Sequence, residues 1–324
     1  MRVLFLGTPG MLHPWHDDVI ELARGRWSIQ LYDPKGSIEE QMKEVSVVVD
    51  QGGMHATREL IEAGRKAGVR LWQVLGTGLD HTDVATILAN GIPLANTPGQ
   101  FSSIALAEHA LFLMLVFAKR LFESQATIRR RVICDPINEE LNGKTLALLG
   151  LGASGRELAR RAKALGMRVL AIDLLEIPEQ LRAQCGVEFF GTPAHLPHLL
   201  SEADYISIHM PLTSSTRHML DDGAFKLMKP TAVLINVARG GIVDEAALLR
   251  ALQEGRLRGA GLDVFAKEPI DPEHSLLKLP NVFATPHVAG VTFGTSRRRA
   301  EAVVENLERI EQGLPPLYQV TRVE

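Results

Sequence analysis

Three short segments in the second half of the chain gather residue types suited to proton transfer and anion recognition. They read Asn236-Val-Ala-Arg239-Gly-Gly, Leu262-Asp263-Val-Phe-Ala-Lys-Glu268-Pro and Thr285-Pro-His287-Val-Ala-Gly290. Each follows a short apolar run, and open parallel sheets bind ligands outside the carboxyl ends of their strands. An imidazole can protonate a carbonyl oxygen, a carboxylate can fix its tautomer, and a guanidinium can clamp a carboxylate. Arg239, Glu268 and His287 are therefore the candidate catalytic set.

Upstream, residues 150–155 read Gly-Leu-Gly-Ala-Ser-Gly between an expected strand, Thr145–Leu149, and an expected helix, Arg156–Ala164. In that context Gly150 allows a tight turn, Gly152 lets a pyrophosphate approach the backbone, and Gly155 lets helix and strand pack closely. Phosphates would then rest on the helix N-terminus. The acidic residue such a turn requires follows at the end of Leu-Ala-Ile-Asp173, where it can accept hydrogen bonds from ribose hydroxyls. The next residues are Leu174, Leu175 and Glu176, with no cation to neutralise a 2′-phosphate, so NAD is expected over NADP.

These residues need a scaffold of strands that all end at one edge. Arg2–Leu6, Ile29–Tyr32, Val45–Asp50, Arg70–Leu75 and Ile92–Ala95 read as strands, with Asp17–Arg24, Ile38–Lys43, Ala56–Ala67 and Thr82–Asn90 as helices between them. Strict alternation implies a mostly parallel sheet covered on both faces. One long helix is expected from Ser102 to about Arg131. A second series then begins, with strands at Thr145–Leu149, Arg168–Ile172, Tyr205–Ile208, Ala232–Asn236, Gly259–Leu262 and Val282–Ala284. A last helix, about Thr295 to Glu311, adds no new strand; returning it to the first unit gives two crossings between domains.

A length of 324 residues suggests two domains, and 46% apolar with 23% charged residues excludes a disordered or fibrous chain. A net charge of −3 argues against nucleic acid as the main partner. Ala110–Ala118, the most apolar stretch, is about half a bilayer span and reads as a buried helix, so no membrane role is expected. Cys134 and Cys185 lack any CxxC spacing, which fits a reducing, cytoplasmic setting. His13-Pro-Trp-His16-Asp17-Asp18 resembles a metal cluster, but Pro14 makes it a loop or helix start, and no metal is expected. Trp15, soon after the first strand, could reach the active cleft. His109 reads as a core or interface residue and His209 as cofactor packing. The runs Arg129–Arg131 and Arg297–Arg299 read as solvated helix faces or interface pairs.

Taken together, these segments resemble the D-isomer-specific 2-hydroxyacid dehydrogenases. The resemblance spans nearly the whole chain and adds His209-Met-Pro-Leu-Thr213, Gly76-Thr-Gly-Leu-Asp80 and Gly91-Ile-Pro-Leu-Ala-Asn-Thr-Pro-Gly99. It implies two doubly wound α/β domains, a Rossmann NAD domain inserted in a flavodoxin-like substrate domain. The boundaries would be 1–100 for substrate, 101–289 for NAD, and 290–324 for a helix returning to the substrate domain. It implies hydride transfer between nicotinamide C4 and C2 of a small 2-oxo or 2-hydroxy acid. His287 would be the acid/base, Glu268 its partner, and Arg239 the substrate clamp. Backbone amides of Leu75, Gly76, Thr77 and Gly78 would hold the substrate carboxylate. Cofactor contacts would come from Thr77, Gly150, Gly152, Ala153, Ser154, Gly155, Asp173, Met210, Val237, Arg239, Asp263 and Gly290, with Asp263 near the carboxamide. The helix near 102–130 would pack in a homodimer.

The chain departs from the family pattern in three places. Ser154 stands where Ile is more common. Val74 and Leu75 replace the Arg that phosphoglycerate dehydrogenases usually carry, and Gln51-Gly-Gly lacks an upstream Arg, so phosphoglycerate is disfavoured; within the enzymes, phosphoglycerate and hydroxypyruvate or glyoxylate are the alternative substrates, and the sequence does not identify the substrate side chain. Formate dehydrogenase is a closer rival, but its pattern is a His–Gln arrangement, whereas Glu268 is present here. An NAD(H)-sensing corepressor or scaffold on the same fold is the alternative, separable by a screen of 2-oxo acids with NADH.

Overall fold

In the computed structural model, which describes residues 1–321, alternating apolar strands and amphipathic helices build two separate α/β units. One unit combines Met1–Ser102 with the residues from Val291 on; the other is Ser103–Gly290.

The first unit begins β1 (Arg2–Leu6), α1 (Trp15–Ala23), β2 (Ser28–Leu31), α2 (Ile38–Met42), β3 (Val45–Gln51), α3 (Arg58–Ala67), β4 (Leu71–Leu75), α4 (Val84–Ala89) and β5 (Leu94–Ala95). The second contains α5 (Ser103–Ala118), α6 (Leu121–Arg129), β6 (Thr145–Leu149), α7 (Ala153–Ala164), β7 (Arg168–Ile172), α8 (Glu179–Cys185) and β8 (Val187–Gly191). It continues through α9 (Leu196–Glu202), β9 (Tyr205–Ile208), α10 (Asp222–Leu227), β10 (Val233–Asn236), α11 (Glu245–Gln253), β11 (Gly259–Leu262) and β12 (Val282–Ala284). The chain then returns to the first unit with α12 (Phe293–Glu311) and β13 (Gln319–Val320).

The second unit's sheet is all parallel in the order β8-β7-β6-β9-β10-β11-β12. Its first six strands follow the 3-2-1-4-5-6 order of a Rossmann sheet, so the order reverses between β6 and β9. The first unit's sheet runs β2-β1-β3-β4-β5, the flavodoxin-like order, with β13 added antiparallel on β5. Strands β4 and β6 are buried at every position, as parallel strands covered on both faces must be. Local signals start the helices: Thr57 caps α3 by accepting from Leu60 N–H, and Asp244 caps α11 by accepting from Ala246 and Ala247.

Two expectations are corrected. The stretch from Ser102 to Arg131 is two helices, parted at Lys119-Arg120 where Arg120 is left-handed at φ 45°. Neither residue is a turn former, so the break leaves no mark on periodicity. The chain also adds a strand after its last long helix, since Gln319 and Val320 pair with Ala95 and Leu94. Among the described residues no helix is long and apolar enough to cross a membrane.

Candidate active site

The glycine turn lies between β6 and α7, at the point where the strand order reverses. Gly150 has φ 102°, and a Cβ there would fall 2.7 Å from the His209 carbonyl oxygen. A Cβ on Gly155 would fall 2.2 Å from the Gly150 oxygen, whereas Gly152 faces open space. Two glycines are thus required by the protein's own backbone, and the third leaves room for a ligand. No side chain caps α7, so its first N–H groups are left for an anion. At the end of β7, Asp173 Oδ2 accepts from Leu151 N–H at 2.7 Å and Oδ1 from Leu175 N–H at 3.0 Å. The acid expected to receive ribose is therefore already braced against the glycine turn. Ala153 and Ser154 open α7, and Val237 is buried just beyond β10. This arrangement fits a dinucleotide.

His209 lies under the same turn. Its Nδ1 is 3.0 Å from Ser154 Oγ and its Nε2 is 2.9 Å from Ser207 Oγ. Desolvation pushes its pKa down to about 4, so the ring is neutral near pH 7. A neutral imidazole held between two hydroxyls braces the turn. It also gives Ser154, the departure from family habit, a polar partner.

Arg239, Glu268 and His287 leave β10, β11 and β12 at the same sheet edge. His287 Nδ1 and Glu268 Oε2 are 2.6 Å apart. Burial opposes ionisation of Glu268, yet the bond from His287, the Phe265 N–H at 2.8 Å and the charges of His287 and Arg239 hold its carboxyl below the usual range. Arg239 Nη1 donates to the Ala238 carbonyl at 2.8 Å, while Asn236 Nδ2 donates to the Arg239 carbonyl at 3.0 Å. Gly240 makes this convergence possible: a Cβ there would lie 1.9 Å from the Phe265 carbonyl carbon. The Arg239 turn and the segment leading to Glu268 touch through that missing side chain.

His287 itself is left-handed at φ 55°, a strained conformation for a residue with a Cβ. Asp263, fully buried, holds it there. Its carbonyl accepts from His287 N–H at 2.8 Å, and its carboxylate accepts from Val288 N–H, Ala289 N–H and the Thr285 hydroxyl at 2.8, 2.8 and 2.6 Å. Because the Thr285 hydroxyl has one proton and gives it to Asp263, its oxygen must accept from His109 Nε2–H at 2.9 Å. Desolvation lowers the His109 pKa, opposed by the Asp263 charge. Gly290 follows this clamped loop. Spacing did not foretell the clamp, because its donors are mostly backbone.

In the first unit, the loop after β4 turns its carbonyls inward. Leu75, Gly76 and Thr77 oxygens accept from Gly52 N–H, Thr97 N–H and Asn96 Nδ2 at 3.2, 3.0 and 2.8 Å. A Cβ on Gly76 would meet Gly52 Cα at 3.2 Å, so two loops pack backbone to backbone there. Trp15 is 5% exposed and packs in the core beside Phe5 and Val303, which corrects its expected approach to a cleft. The Arg297–Arg299 run is likewise not a uniform solvated face. Arg297 pairs with Glu21 at 2.9 Å, while Arg298 Nε donates to the Phe101 carbonyl and Arg299 Nη2 to Thr77 Oγ1. His13 bonds Asp17 at 2.8 Å at the start of α1, and among the described residues no cluster of three or more His, Cys, Asp or Glu could hold a metal.

A Rossmann-ordered sheet with this glycine turn, joined to an Arg–Glu–His set at its strand ends, defines a nicotinamide-dependent oxidoreductase. Residues 111–289 match the family model for the D-isomer specific 2-hydroxyacid dehydrogenase NAD-binding domain. The chain is 37% identical to a glyoxylate reductase of Korarchaeum cryptofilum, over 90% of this chain and 87% of that protein. It is 35% identical to a D-3-phosphoglycerate dehydrogenase of Methanocaldococcus jannaschii, over 93% of this chain but 56% of the longer relative. A solved glyoxylate reductase from Paecilomyes thermophila superposes with a TM-score of 0.81 at 29% identity, covering 99% of this chain and 98% of that one. The chain belongs to the D-isomer-specific 2-hydroxyacid dehydrogenase family and is an NAD-dependent oxidoreductase acting on 2-hydroxy acids.

Proposed function

We propose that the protein interconverts a small 2-oxo acid, of the glyoxylate or hydroxypyruvate type, with its 2-hydroxy acid. The observation that carries this reading is the 2.6 Å bond between His287 Nδ1 and Glu268, which leaves Nε2 as the nitrogen to face substrate. In reduction, His287 Nε2–H donates its proton to the C2 oxygen; in oxidation the neutral ring takes it back. Glu268 fixes the tautomer and balances the imidazolium, and Arg239 orients the substrate carboxylate and polarises its carbonyl. The amides of Leu75–Gly78 hold that carboxylate. NAD, when bound, supplies or receives the hydride at nicotinamide C4. The residues assigned to the dinucleotide are the glycine turn, Ala153, Ser154, Asp173, Met210, Val237, Asp263, Gly290 and Thr77.

A small substrate is supported by the names of the glyoxylate-reductase relatives and by Val74 and Leu75, which offer no charge to a phosphate. We assign residues 1–100 and the chain from 290 on to substrate binding, and 101–289 to the cofactor. A homodimer through residues 102–130 is supported by exposed Ile104, Phe112, Leu121, Phe122 and Ile128. Cytoplasmic residence suits the two unpaired cysteines. The test is His287→Ala assayed with NADH and a panel of 2-oxo acids. Turnover should fall by orders of magnitude while NADH still binds; unchanged turnover would sink the assignment.

A further inference from the structure

We propose that Arg299 is an additional counter-charge for the carboxylate common to 2-oxo acids, bound on the Gly76–Gly78 loop. The inference rests on the proposed use of that loop for the substrate carboxylate and names a residue that reads it. Arg299 reaches the loop directly. Thr77 Oγ1 gives its proton to the Thr97 carbonyl at 3.0 Å, so its oxygen accepts Arg299 Nη2–H at 3.1 Å and sets the orientation of the guanidinium. The guanidinium carbon lies 5.5 Å from the centre of the buried Trp15 ring.

Two independent observations point to an anion. First, this cation has none of its own. Arg299 Nε is buried without a hydrogen-bond partner, and among the described residues no carboxylate lies within ion-pair distance of Arg298 or Arg299. Arg297, one residue earlier, pairs with Glu21. Desolvation and the adjacent Arg298 push the Arg299 pKa down to about 10, so the group still carries its charge at neutral pH. A desolvated cation without a counter-ion is costly, and a ligand anion removes that cost. Second, the loop is polarised for the same ligand. The carbonyls of residues 75–77 are all turned inward onto donors, while the N–H groups of Thr77 and Gly78 bond to nothing among the described residues. Successive unpaired N–H groups beside a guanidinium form a site for a carboxylate.

The placement against Thr77, rather than at the side-chain loops, commits Arg299 to the C1 carboxylate. Every 2-oxo acid should therefore need it, monocarboxylates included. The experiment measures steady-state kinetics of the full chain, Arg299→Met and Arg299→Lys with glyoxylate and with 2-oxoglutarate, alongside NADH affinity by fluorescence. Arg299→Met should raise KM for both acids about 10- to 100-fold, with kcat within a few-fold and NADH affinity unchanged. Arg299→Lys should recover part of the loss. An unchanged KM for glyoxylate overturns the proposal, as does a loss confined to the diacid. Thermal stabilisation by oxalate gives a readout without turnover. Oxalate should raise the Tm of the wild-type protein and of Arg299→Lys, and have little effect on Arg299→Met. If wild type reduces no 2-oxo acid yet oxalate still discriminates the variants, the substrate reading fails and the anion site stands. If oxalate stabilises all three equally, the anion site fails.

Discussion

Asp263→Asn separates two roles that one carboxylate could play, contact with the nicotinamide and support of the His287 loop. In the structure its two oxygens take three bonds, from Val288 N–H, Ala289 N–H and the Thr285 hydroxyl, at 2.6–2.8 Å in a site with no solvent exposure. An asparagine fills the same volume but offers one oxygen and points an amide N–H₂ at a donor. At least one charge-assisted bond is lost and a buried N–H is left without a partner, costing about 2–4 kcal/mol in total. At roughly 2–4 °C per kcal/mol for a unit of this size, the apo-protein Tm should fall by about 5–15 °C. Relieved of its clamp, His287 should leave the left-handed conformation, and kcat should drop at least about 10-fold. The assay is differential scanning fluorimetry without cofactor, followed by kinetics. An apo Tm equal to wild type would refute the clamp and leave Asp263 as a cofactor contact alone.

Other outcomes follow from the same geometry. Gly155→Ala puts a Cβ 2.2 Å from the Gly150 oxygen, so NADH affinity measured by fluorescence titration should fall at least 10-fold. The Glu268 carboxyl ionises below its usual range, so its stabilisation is present above about pH 4.3 and is lost as pH falls through its lowered folded value. Glu268→Gln should therefore show a flatter acid limb of Tm against pH, and a parallel limb would count against the pairing. Asp50 carries the opposite sign: burial raises its pKa to about 7, so its ionisation costs stability increasingly from about pH 4 up to 7. Asp50→Asn should be more stable than wild type at pH 8, by on the order of 2–4 kcal/mol, with the gain vanishing toward pH 4 in urea melts. His109→Leu should lower kcat several-fold by releasing Thr285, whereas His109→Gln, which keeps a donor at the same reach, should restore it.

Much of the scaffold was legible because parallel sheets demand continuous apolar runs. Thr145–Leu149, Arg168–Ile172 and Tyr205–Ile208 are strands over the same residues that composition marks out. Val187–Gly191 was not, since an edge strand with a half-exposed Glu-Phe-Phe stretch has neither clean alternation nor a buried run. The split at Arg120 was hidden for a related reason, because a single left-handed residue suffices to turn a chain and almost any side chain tolerates it at a cost. For the candidate site, the family resemblance names Glu268 and His287 as partners, and the two side chains lie 2.6 Å apart. Motif spacing did not anticipate the clamp by Asp263, which is made largely of backbone N–H groups that every sequence possesses. Arg299 was hidden differently. Within three consecutive arginines, identity says nothing of direction, and only the helical turn separates Arg297 facing Glu21 from Arg299 facing Thr77.

The first unit draws its core from both ends of the chain: Ala300, Val303, Leu307 and Ile310 of α12 are buried with Val3, Phe5, Val47 and Leu71. On the ribosome, that face of the sheet must wait with only α1 packed on it, through Trp15, Val19 and Ala23, until about two hundred further residues have been made. The intervening unit, contiguous in sequence, can finish first. A chain stalled or cleaved just after Gly290 would thus hold a cofactor-type unit able to fold, tethered to a hydrophobic sheet that cannot close. Such a product is a natural chaperone client, and its aggregation should be cured by supplying the α12 segment in trans.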